Sequence, residues 1–545
     1  MNRTIFFIIV GLPIIIFSQN RQNLLTTAER SNFESTATYK DVDDFIYQLK
    51  KQFDNVKVET IAESVEGRKI PLVILADPMF NSSNGLLNDD RTKIYIQGNI
   101  HAGEVEGKES SLMFARDILI DRKEILKDVV LIICPIFNAD GNEKISPINR
   151  PYQNGPKNGV GLRYNGKNLD LNRDAMKVET PEVKGLLENV LNKYDPEILV
   201  DIHTTNGSYR EEPVSFTWMM NPAGDTTLIA YMRDKMMPAV SKTLKEKYNT
   251  FNVFYGEFVD QRDPSNGWIS YAYEPRYITN YIGLRNRLAI LNENYVYSDF
   301  KARVWGSYNL LWSIIDYAVK NKRQIKELLK EADAQTISRG LNPTEKDSFA
   351  LDSQVRPTNS PITINTYELE TKIDEKGRER LVKTDNKKIV TVPYLADYLP
   401  TRKTRIPFAY LLTNKDPDVV TLLKSHGIKI EELTKQTELT VETYKIDNLR
   451  PEERLNQGHY NNEISGEFVT EKKTFAAGTL VIRTAQPLAN VAMFLLEPES
   501  DDGLLHWNYF DNYLVPQWGN GYLPYPVYKL LNNISIETKN KYSTN

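Results

Sequence analysis

The sequence contains very little cysteine and histidine: one cysteine, Cys134, and five histidines in 545 residues. A lone cysteine excludes an intramolecular disulfide and any zinc site built on paired cysteines. Cys134 lies in the apolar run 129–137, which predicts a small core residue on a strand and not a nucleophile. The few histidines can therefore be weighed one at a time as candidate metal ligands.

Charge of one sign is not in excess. Lysine and arginine number 68 against 72 aspartate and glutamate, which gives a formal net charge of −4, and no basic run forms a polyanion-binding tail. A nucleic-acid partner is therefore not expected. Hydrophobic residues make up 41% of the chain and the mean hydropathy is −0.46, values typical of a globular protein. The length suggests about two or three domains.

Long apolar runs are missing except near the N-terminus, where Ile5 to Phe17 follow the basic Arg3 and precede the small Ser18. This layout predicts a secretory signal peptide over residues 1–18. A membrane anchor, the alternative, needs about 20 apolar residues, more than this run offers. We therefore expect export to the periplasm or the extracellular space, with no stable membrane insertion after signal cleavage. Export without disulfides is more typical of a bacterial envelope protein than of a eukaryotic secreted one.

Short apolar runs alternate with helix-like segments up to residue 340. Strands are predicted at 69–76, 93–97, 128–137, 198–201 and 288–291, and helices at 40–53, 104–121, 181–194, 225–247, 300–320 and 322–334. This alternation predicts an α/β domain over residues 19–340, with a mixed, largely parallel sheet flanked by helices.

The composition and the hydrophobic pattern of the sequence change after residue 340. Prolines, a charged hairpin-like stretch at 374–383 and short β-branched segments predict a smaller β-rich domain over 341–545, of sandwich or jelly-roll type. The acidic stretch Glu497–Asp502 predicts a solvated loop. A Ca²⁺ site is the less favoured alternative there, because the ligand spacing of an EF-hand is missing.

Two of the five histidines follow predicted strands. His101 comes after the run 94–100, with Glu104 three residues later, and His203 ends the run 197–203. Ligands bind at the carboxyl ends of strands in α/β sheets. An isolated His-x-x-Glu pair is weak evidence, but a second histidine in the same topological position favours a metal site. The remaining three lack partners at ligand spacing: His426, His459 and His506.

The segment between these histidines contains Asp170-Leu171-Asn172-Arg173. With a His-x-x-Glu pair before it, a distant histidine after it and a glutamate on a late strand, the sequence resembles the zinc carboxypeptidases of the M14 metallopeptidase family. The stretch 137–141 also resembles the family's Asn-Pro-Asp-Gly turn, with Ala139 in place of proline. The resemblance covers roughly residues 40–320 and implies a carboxypeptidase-like catalytic domain at 19–340.

The resemblance implies one zinc ion per chain, bound by three side chains: His101, Glu104 and His203. A catalytic zinc keeps its fourth position open for water. Asp170 would accept a hydrogen bond from a ligand imidazole and fix its tautomer, with Asp201 as the weaker candidate. Glu293, at the end of the strand-like run 287–293, would be the general base that takes a proton from water and passes it to the leaving amine.

The resemblance also implies how a peptide would bind. Asn172 and Arg173 would bind its free C-terminal carboxylate, because a guanidinium pairs with a carboxylate in a bidentate manner. Arg163 would stabilise the oxyanion, with Arg150 as second candidate. Tyr281 is expected to cover the bound substrate, and three other tyrosines compete for that role: Tyr271, Tyr273 and Tyr277.

The implied activity is hydrolysis of the C-terminal peptide bond of peptides or proteins. Two alternatives use the same residues. One is a zinc amidase acting on cell-wall peptides or acylamino acids, and the other is a non-catalytic peptide-binding relative.

Overall fold

A computed structural model describes residues 24–82, 86, 89–514, 516 and 521–541. The predicted signal peptide, residues 1–18, lies outside these residues. Among the helices in the described part of the chain, none combines the length and the apolar character that crossing a membrane requires.

Residues 56–295 contain an eight-stranded mixed sheet with the order β1-β2-β4-β3-β5-β10-β6-β7. The strands are β1 (Val56–Glu63), β2 (Lys69–Leu75), β3 (Thr92–Gly98), β4 (Val129–Cys134), β5 (Ile198–Thr205), β6 (Val214–Trp218), β7 (Asn252–Phe254), β8 (Glu257–Phe258), β9 (Trp268–Ile269) and β10 (Leu288–Tyr295), of which β8 and β9 join another sheet. The central strands β4, β3, β5 and β10 run parallel to one another. Antiparallel pairs join β1 to β2, β2 to β4 and β6 to β10, whereas β6 and β7 are parallel. The predicted mixed sheet is confirmed.

Helices flank this sheet at the predicted places. They are α1 (Thr27–Arg30), α2 (Tyr39–Gln52), α3 (Glu106–Asp121), α4 (Ala139–Asn142), α5 (Pro181–Leu186), α6 (Asn192–Tyr194), α7 (Thr226–Tyr231), α8 (Met237–Tyr248), α9 (Ile278–Leu284), α10 (Phe300–Lys320) and α11 (Lys322–Leu341). Helix α2 shows why they form: Thr38 and Asp41 make a capping box at its start, and Val42 and Phe45 belong to its buried face. Single π-helical turns at Leu187–Leu191 and Met232–Met236 connect α5 to α6 and α7 to α8.

The central strands are buried on both faces, as their uninterrupted apolar runs predict. Every residue of β4 is buried, including Cys134, which is a free thiol. Burial raises the pKa of this thiol far above its ordinary value. Cys134 is therefore a core residue, as predicted.

The chain after residue 341 is dominated by strands, which confirms the predicted β-rich region. They are β11 (Ser348–Pro357), β12 (Ile362–Ile373), β13 (Glu379–Val392), β14 (Tyr394–Arg405), β15 (Ala409–Leu412), β16 (Glu431–Leu433), β17 (Thr437–Pro451), β18 (Asn462–Phe475), β19 (Leu480–Arg483), β20 (Val527–Leu530) and β21 (Thr538–Asn540), with helices α12 (Pro417–Ser425) and α13 (Ala489–Leu496). Strands β12 and β13 form the predicted hairpin.

The expectation of a sandwich or jelly roll for this region stays a prediction. Seven strands form one antiparallel sheet with the order β18-β17-β20-β15-β19-β16-β21. Side chains of this sheet, such as Tyr410 and Ile482, belong to the same hydrophobic core as helix α13 and the α/β region. The sheet therefore buries this face against helix α13 and the α/β region, and Lys529 on β20 also contacts Thr404 on β14.

One hydrophobic core extends from Leu24 to Val527 and includes residues on both sides of position 340. Strand β14 also pairs in parallel with β9, through Tyr394 opposite Trp268. Helix α11 ends at Leu341, next to the predicted boundary. The assignment of 19–340 and 341–545 to separate domains stays a prediction.

The acidic stretch Glu497–Asp502 is not the solvated loop that its composition predicts. Glu497 and Asp502 are fully buried. Glu497 lies 3.0 Å from the ammonium group of Lys529, and Asp502 lies 3.0 Å from the guanidinium of Arg276. Distant cationic partners therefore compensate these carboxylates, which a local composition cannot reveal.

Candidate metal centre and cleft

Adjacent parallel strands bring the predicted metal ligands to one edge of the sheet. Gly98, the last residue of β3, is the register partner of Ile202 on β5, so His101 and His203 both follow that point of the ladder. On β10, Glu293 lies directly opposite His203. Because paired strands lie about 4.8 Å apart and partners in register share a face, these side chains project from the same surface.

The three predicted ligands converge. The Nδ1 atom of His203 lies 3.2 Å from Nδ1 of His101 and 3.0 Å from a carboxylate oxygen of Glu104. The Nδ1 atom of His101 lies 3.2 Å from the other oxygen of Glu104. One ligand atom from each residue lies within 4.8 Å of the others, and all three side chains are buried.

The opposite ring nitrogen of each histidine contacts a carboxylate. Nε2 of His101 lies 2.9 Å from Asp170, and Nε2 of His203 lies 2.8 Å from Asp201. A carboxylate only accepts, so the proton of each neutral ring is on Nε2 and both Nδ1 lone pairs face the centre. Two lone pairs at 3.2 Å repel unless a cation lies between them. This donor set fits zinc, which binds imidazole nitrogen and carboxylate oxygen.

Charged neighbours keep the outer carboxylate ionised. Burial alone would raise the pKa of Asp170, but the His101 ring and the guanidinium groups of Arg163 and Arg173 outweigh it and hold that pKa well below its ordinary value. Asp170 therefore remains an acceptor for Nε2 of His101 throughout the neutral range.

The ligand loop depends on close backbone approach. A Cβ on Gly103, between the ligands His101 and Glu104, would lie 2.9 Å from the backbone carbonyl oxygen of Gly161 and 2.6 Å from Cδ of Arg150, so this position favours glycine. The side-chain amide of Asn138 donates to the carbonyl oxygens of Ile100 and Arg163, at 3.3 and 3.0 Å. The 137–141 turn thus connects the ligand loop to the segment that carries the predicted oxyanion arginine.

The ligands open onto a cleft of about 640 Å³. Most of the predicted site residues line it: His101, Glu104, Arg150, Arg163, Asn172, Arg173, His203, Tyr271, Tyr277 and Glu293. Asp170 and Asp201 lie behind the histidine rings. This volume falls in the range of small-molecule and peptide-end pockets.

Glu293 is positioned for proton transfer in this cleft. Its Oε2 atom is buried and has no hydrogen-bond partner among the described residues. Burial raises the pKa of Glu293 above its ordinary value and the nearby Glu104 adds to the rise, whereas His203 acts in the opposite direction. A half-buried carboxylate beside the metal ligands, with one oxygen unpaired within the described ranges, is positioned to act as a general base.

Asn172 and Arg173 form one wall of the cleft. The carbonyl of Asn172 accepts from Nη1 of Arg173 at 2.7 Å, and its side-chain oxygen accepts from the backbone of Ile278 at 3.0 Å. The Arg173 guanidinium carbon lies 4.4 Å from the centroid of the Tyr277 ring. A planar cation stacked on an aromatic ring is preorganised for a carboxylate partner.

Both candidate oxyanion arginines line the cleft. The Arg163 guanidinium donates twice to one oxygen of Asp170, at 3.0 and 2.8 Å. Arg150 donates to Glu104 at 2.9 Å and to the carbonyl of Thr204 at 2.9 Å. The two guanidinium groups approach the ligands from different segments. Both arginines therefore stay candidates for stabilising the oxyanion.

The structure contradicts the prediction for Tyr281. This tyrosine is fully buried on α9, and its hydroxyl lies 2.8 Å from Nδ1 of His426, outside the cleft. Tyr277, one helical turn earlier, lines the cleft and contacts Arg173. Tyr273 does not line the cleft, because its hydroxyl bonds the carboxylates of Asp352 and Asp501.

One contact to the site comes from the β-rich region and had no signal in the sequence. The side-chain oxygen of Gln457 accepts from the backbone N–H of Asp170 at 2.8 Å. These residues are 287 positions apart.

Known proteins that resemble this chain include several described as carboxypeptidases. Residues 42–206 match the family model of the zinc carboxypeptidase peptidases. "Carboxypeptidase 2" of the fungus Trichophyton equinum is 21% identical over 461 residues, which cover 81% of this chain and 78% of that protein. The protein of the same name from Trichophyton rubrum is 21% identical over 473 residues, which cover 83% of this chain and 81% of that protein. The similarity therefore extends beyond residues 42–206. Among solved structures, a metallo-carboxypeptidase from Burkholderia cenocepacia is 17% identical with a TM-score of 0.38, covering 52% of this chain and 70% of its own.

Proposed function

We propose that the chain is a zinc-dependent metallocarboxypeptidase, as the match of residues 42–206 to the zinc carboxypeptidase family supports. In this proposal it releases the C-terminal residue of peptides with a zinc ion bound by His101, Glu104 and His203. One observation supports this most directly. Two histidines and a glutamate present their ligand atoms within 4.8 Å of one another. The same cleft contains a carboxylate oxygen of Glu293 that has no hydrogen-bond partner in the described part of the chain.

Zinc, when bound, supplies Lewis-acid polarisation of water and of the scissile carbonyl. Glu293 accepts the proton of the attacking water and returns it to the leaving amine, since no described residue hydrogen-bonds its buried Oε2 atom. Arg163, with Arg150 as second candidate, donates to the oxyanion from the side wall. Asp170 and Asp201 orient the ligand rings by accepting from Nε2.

Cleavage at the chain end follows from the position of Arg173. Its guanidinium, stacked on Tyr277 and joined to Asn172, provides donors in a fork that matches a free carboxylate. A peptide whose C-terminal carboxylate binds there presents its last peptide bond to the ligands. Tyr277 takes the substrate-covering role that the sequence assigned to Tyr281.

The experiment compares free-acid peptides with the same peptides amidated at the C-terminus and adds a measurement of the zinc content. Purified protein should contain about one zinc per chain and should release single residues from free-acid peptides, with little release from the same peptides amidated at the C-terminus. Equal rates on amidated and free-acid peptides would favour the amidase alternative, which muropeptides and acylamino acids would then test. Zinc binding without hydrolysis of any of these would indicate the non-catalytic relative.

We also propose that the protein is exported after cleavage behind Ser18. The support is the apolar run Ile5–Phe17, which lies outside the described residues. N-terminal sequencing of the protein recovered outside the cytoplasm should start at Gln19. A start at Met1 in a membrane fraction would indicate a retained anchor.

A further inference from the structure

We infer that Gln457, in the β-rich region, is a positioning residue for the metal centre: it fixes Asp170 and, through Asp170, the orientation of His101 and Arg163. The inference rests on the proposed function, because it assigns a task to the ligand shell of that site. It also gives the β-rich region a part in the chemistry that no motif in its sequence indicates.

The contact comes from the tip of a long hairpin. Residues 452–461 join strands β17 and β18, and a tight turn at 456–459 forms the tip of this connection. Asn456 and His459 exchange two backbone hydrogen bonds of 2.8 and 2.9 Å around that turn. The central residues Gln457 and Gly458 have φ values of 52° and 89°. Positive φ at both positions defines a type I′ turn.

Glutamine is an unusual choice at the first central position. Type I′ turns strongly favour Asn-Gly, since asparagine tolerates the left-handed region far better than longer side chains do. A strained residue that persists in a native turn points to a function of its side chain. Here the side chain spans the gap to Asp170, where its oxygen accepts from the backbone N–H at 2.8 Å.

Asp170 connects this contact to the site. One carboxylate oxygen lies 2.9 Å from Nε2 of His101 and also accepts from the backbone of Asn172, and the other receives both bonds from Arg163. A shift of the Asp170 backbone therefore moves a metal ligand, a cleft arginine and the carboxylate-binding segment together. Within the described residues, the Asp170 N–H bonds Gln457 and no helix or strand ladder.

The turn is itself docked on the α/β region. Nε2 of His459 lies 2.8 Å from Glu179, and its Nδ1 lies 3.0 Å from the side-chain oxygen of Asn508. The hydroxyl of Tyr509 donates to the carbonyl of Lys177 at 2.8 Å. The β-rich region thus contacts the chain at 170, 177 and 179, which brackets Asn172 and Arg173. These contacts hold the turn that contains Gln457 against the α/β region.

Two substitutions separate the loss of the contact with Asp170 from an effect on the stability of the turn. Gln457→Asn keeps the amide and suits the left-handed turn better, but it is one methylene too short for Asp170. Gln457→Met keeps the length and removes the acceptor. Both should accelerate amide hydrogen exchange over residues 168–173 and should release zinc to a chromogenic chelator about tenfold faster than wild type. We expect kcat/KM to fall by at least a similar factor, because a metal ligand and the carboxylate-binding segment shift together. The Tm of Gln457→Asn should be at or above that of wild type.

Tyr460→Ala is the matched control, since Tyr460 is on the same loop and its side chain is 54% exposed. It should behave as wild type in all four measurements. Wild-type exchange and zinc release in both Gln457 variants, in an active enzyme, would overturn the inference and leave the proposed function intact. A wild type without peptidase activity would overturn the proposed function, whereas faster exchange at 168–173 in the variants would still support the positioning contact.

Discussion

Replacing Arg173 with alanine is the sharpest test of cleavage at the chain end. The guanidinium lies over the Tyr277 ring at 4.4 Å and 3.9 Å from Asp170, and its side chain is 26% exposed. Truncation removes the cation that faces the cleft but leaves the three metal ligands untouched. The variant should therefore retain its zinc, which metal analysis checks first.

The structure sets the magnitude. Loss of one partner of a buried, hydrogen-bonded charge pair costs about 2–5 kcal/mol. Because a quarter of the Arg173 side chain is exposed, solvent screening places the loss near the lower end, about 2–3 kcal/mol. At about 1.4 kcal/mol per factor of ten, kcat/KM should fall roughly 30- to 150-fold on a free-acid peptide.

The assay is a cycle over enzyme and substrate. Amidation removes the partner of Arg173 from the other side, so it should reduce kcat/KM of the wild type by a similar factor and that of Arg173→Ala very little. The two losses should be non-additive by about 2 kcal/mol, since they break the same contact. Arg173→Lys keeps the charge without the fork and should be intermediate.

Lys167→Ala is the matched control, because it removes an exposed positive charge from the same loop. It should show wild-type rates on both substrates. Additive losses for Arg173→Ala and amidation would refute the proposed contact, even if each loss alone had the expected size.

Three further predictions follow from the site and its supports. Glu293→Gln removes the base and keeps the size, so kcat should fall at least ~10²-fold in steady-state assays with zinc content unchanged. Asp201→Asn removes the anionic partner of His203 at 2.8 Å, so zinc affinity measured by chelator competition should weaken about 10- to 100-fold. Arg303→Met leaves the fully buried Glu106 without its 2.5 Å partner and should lower the free energy of unfolding by about 3–5 kcal/mol in denaturant titration; a loss under 1 kcal/mol would contradict this.

The closeness of His101, His203 and Glu293 could be predicted from the sequence because each lies at the end of an apolar run. Buried parallel strands end at one edge of a sheet, so His101, His203 and Glu293 had to lie close together once their runs were strands. The local order of residues contains this information. The roles of Glu104, Asn172 and Arg173, and that of Glu293 as the base, come instead from the resemblance to the zinc carboxypeptidase family.

The tyrosine could not be chosen in this way. Every residue of helix Ile278–Leu284 is buried, so its periodicity marks no polar face, and spacing alone cannot separate Tyr277 from Tyr281. The contact of Gln457 and the pairing of Glu497 with Lys529 depend on how distant segments pack. Composition indicates a polar residue at such places but not its partner.

The position of β20 has a consequence for how the chain reaches its final form. Val527–Leu530 pairs with β15 on one side and with β17 on the other, in the interior of the seven-stranded sheet, yet it follows both by many residues in the chain. During synthesis β20 leaves the ribosome after β15 and β17, the two strands between which it pairs. Until then β15 and β17 each have an unpaired edge, which can pair with another chain. The hairpin that carries Gln457 begins with β17. A newly made chain should thus acquire its fully ordered metal centre late, after β20 has inserted.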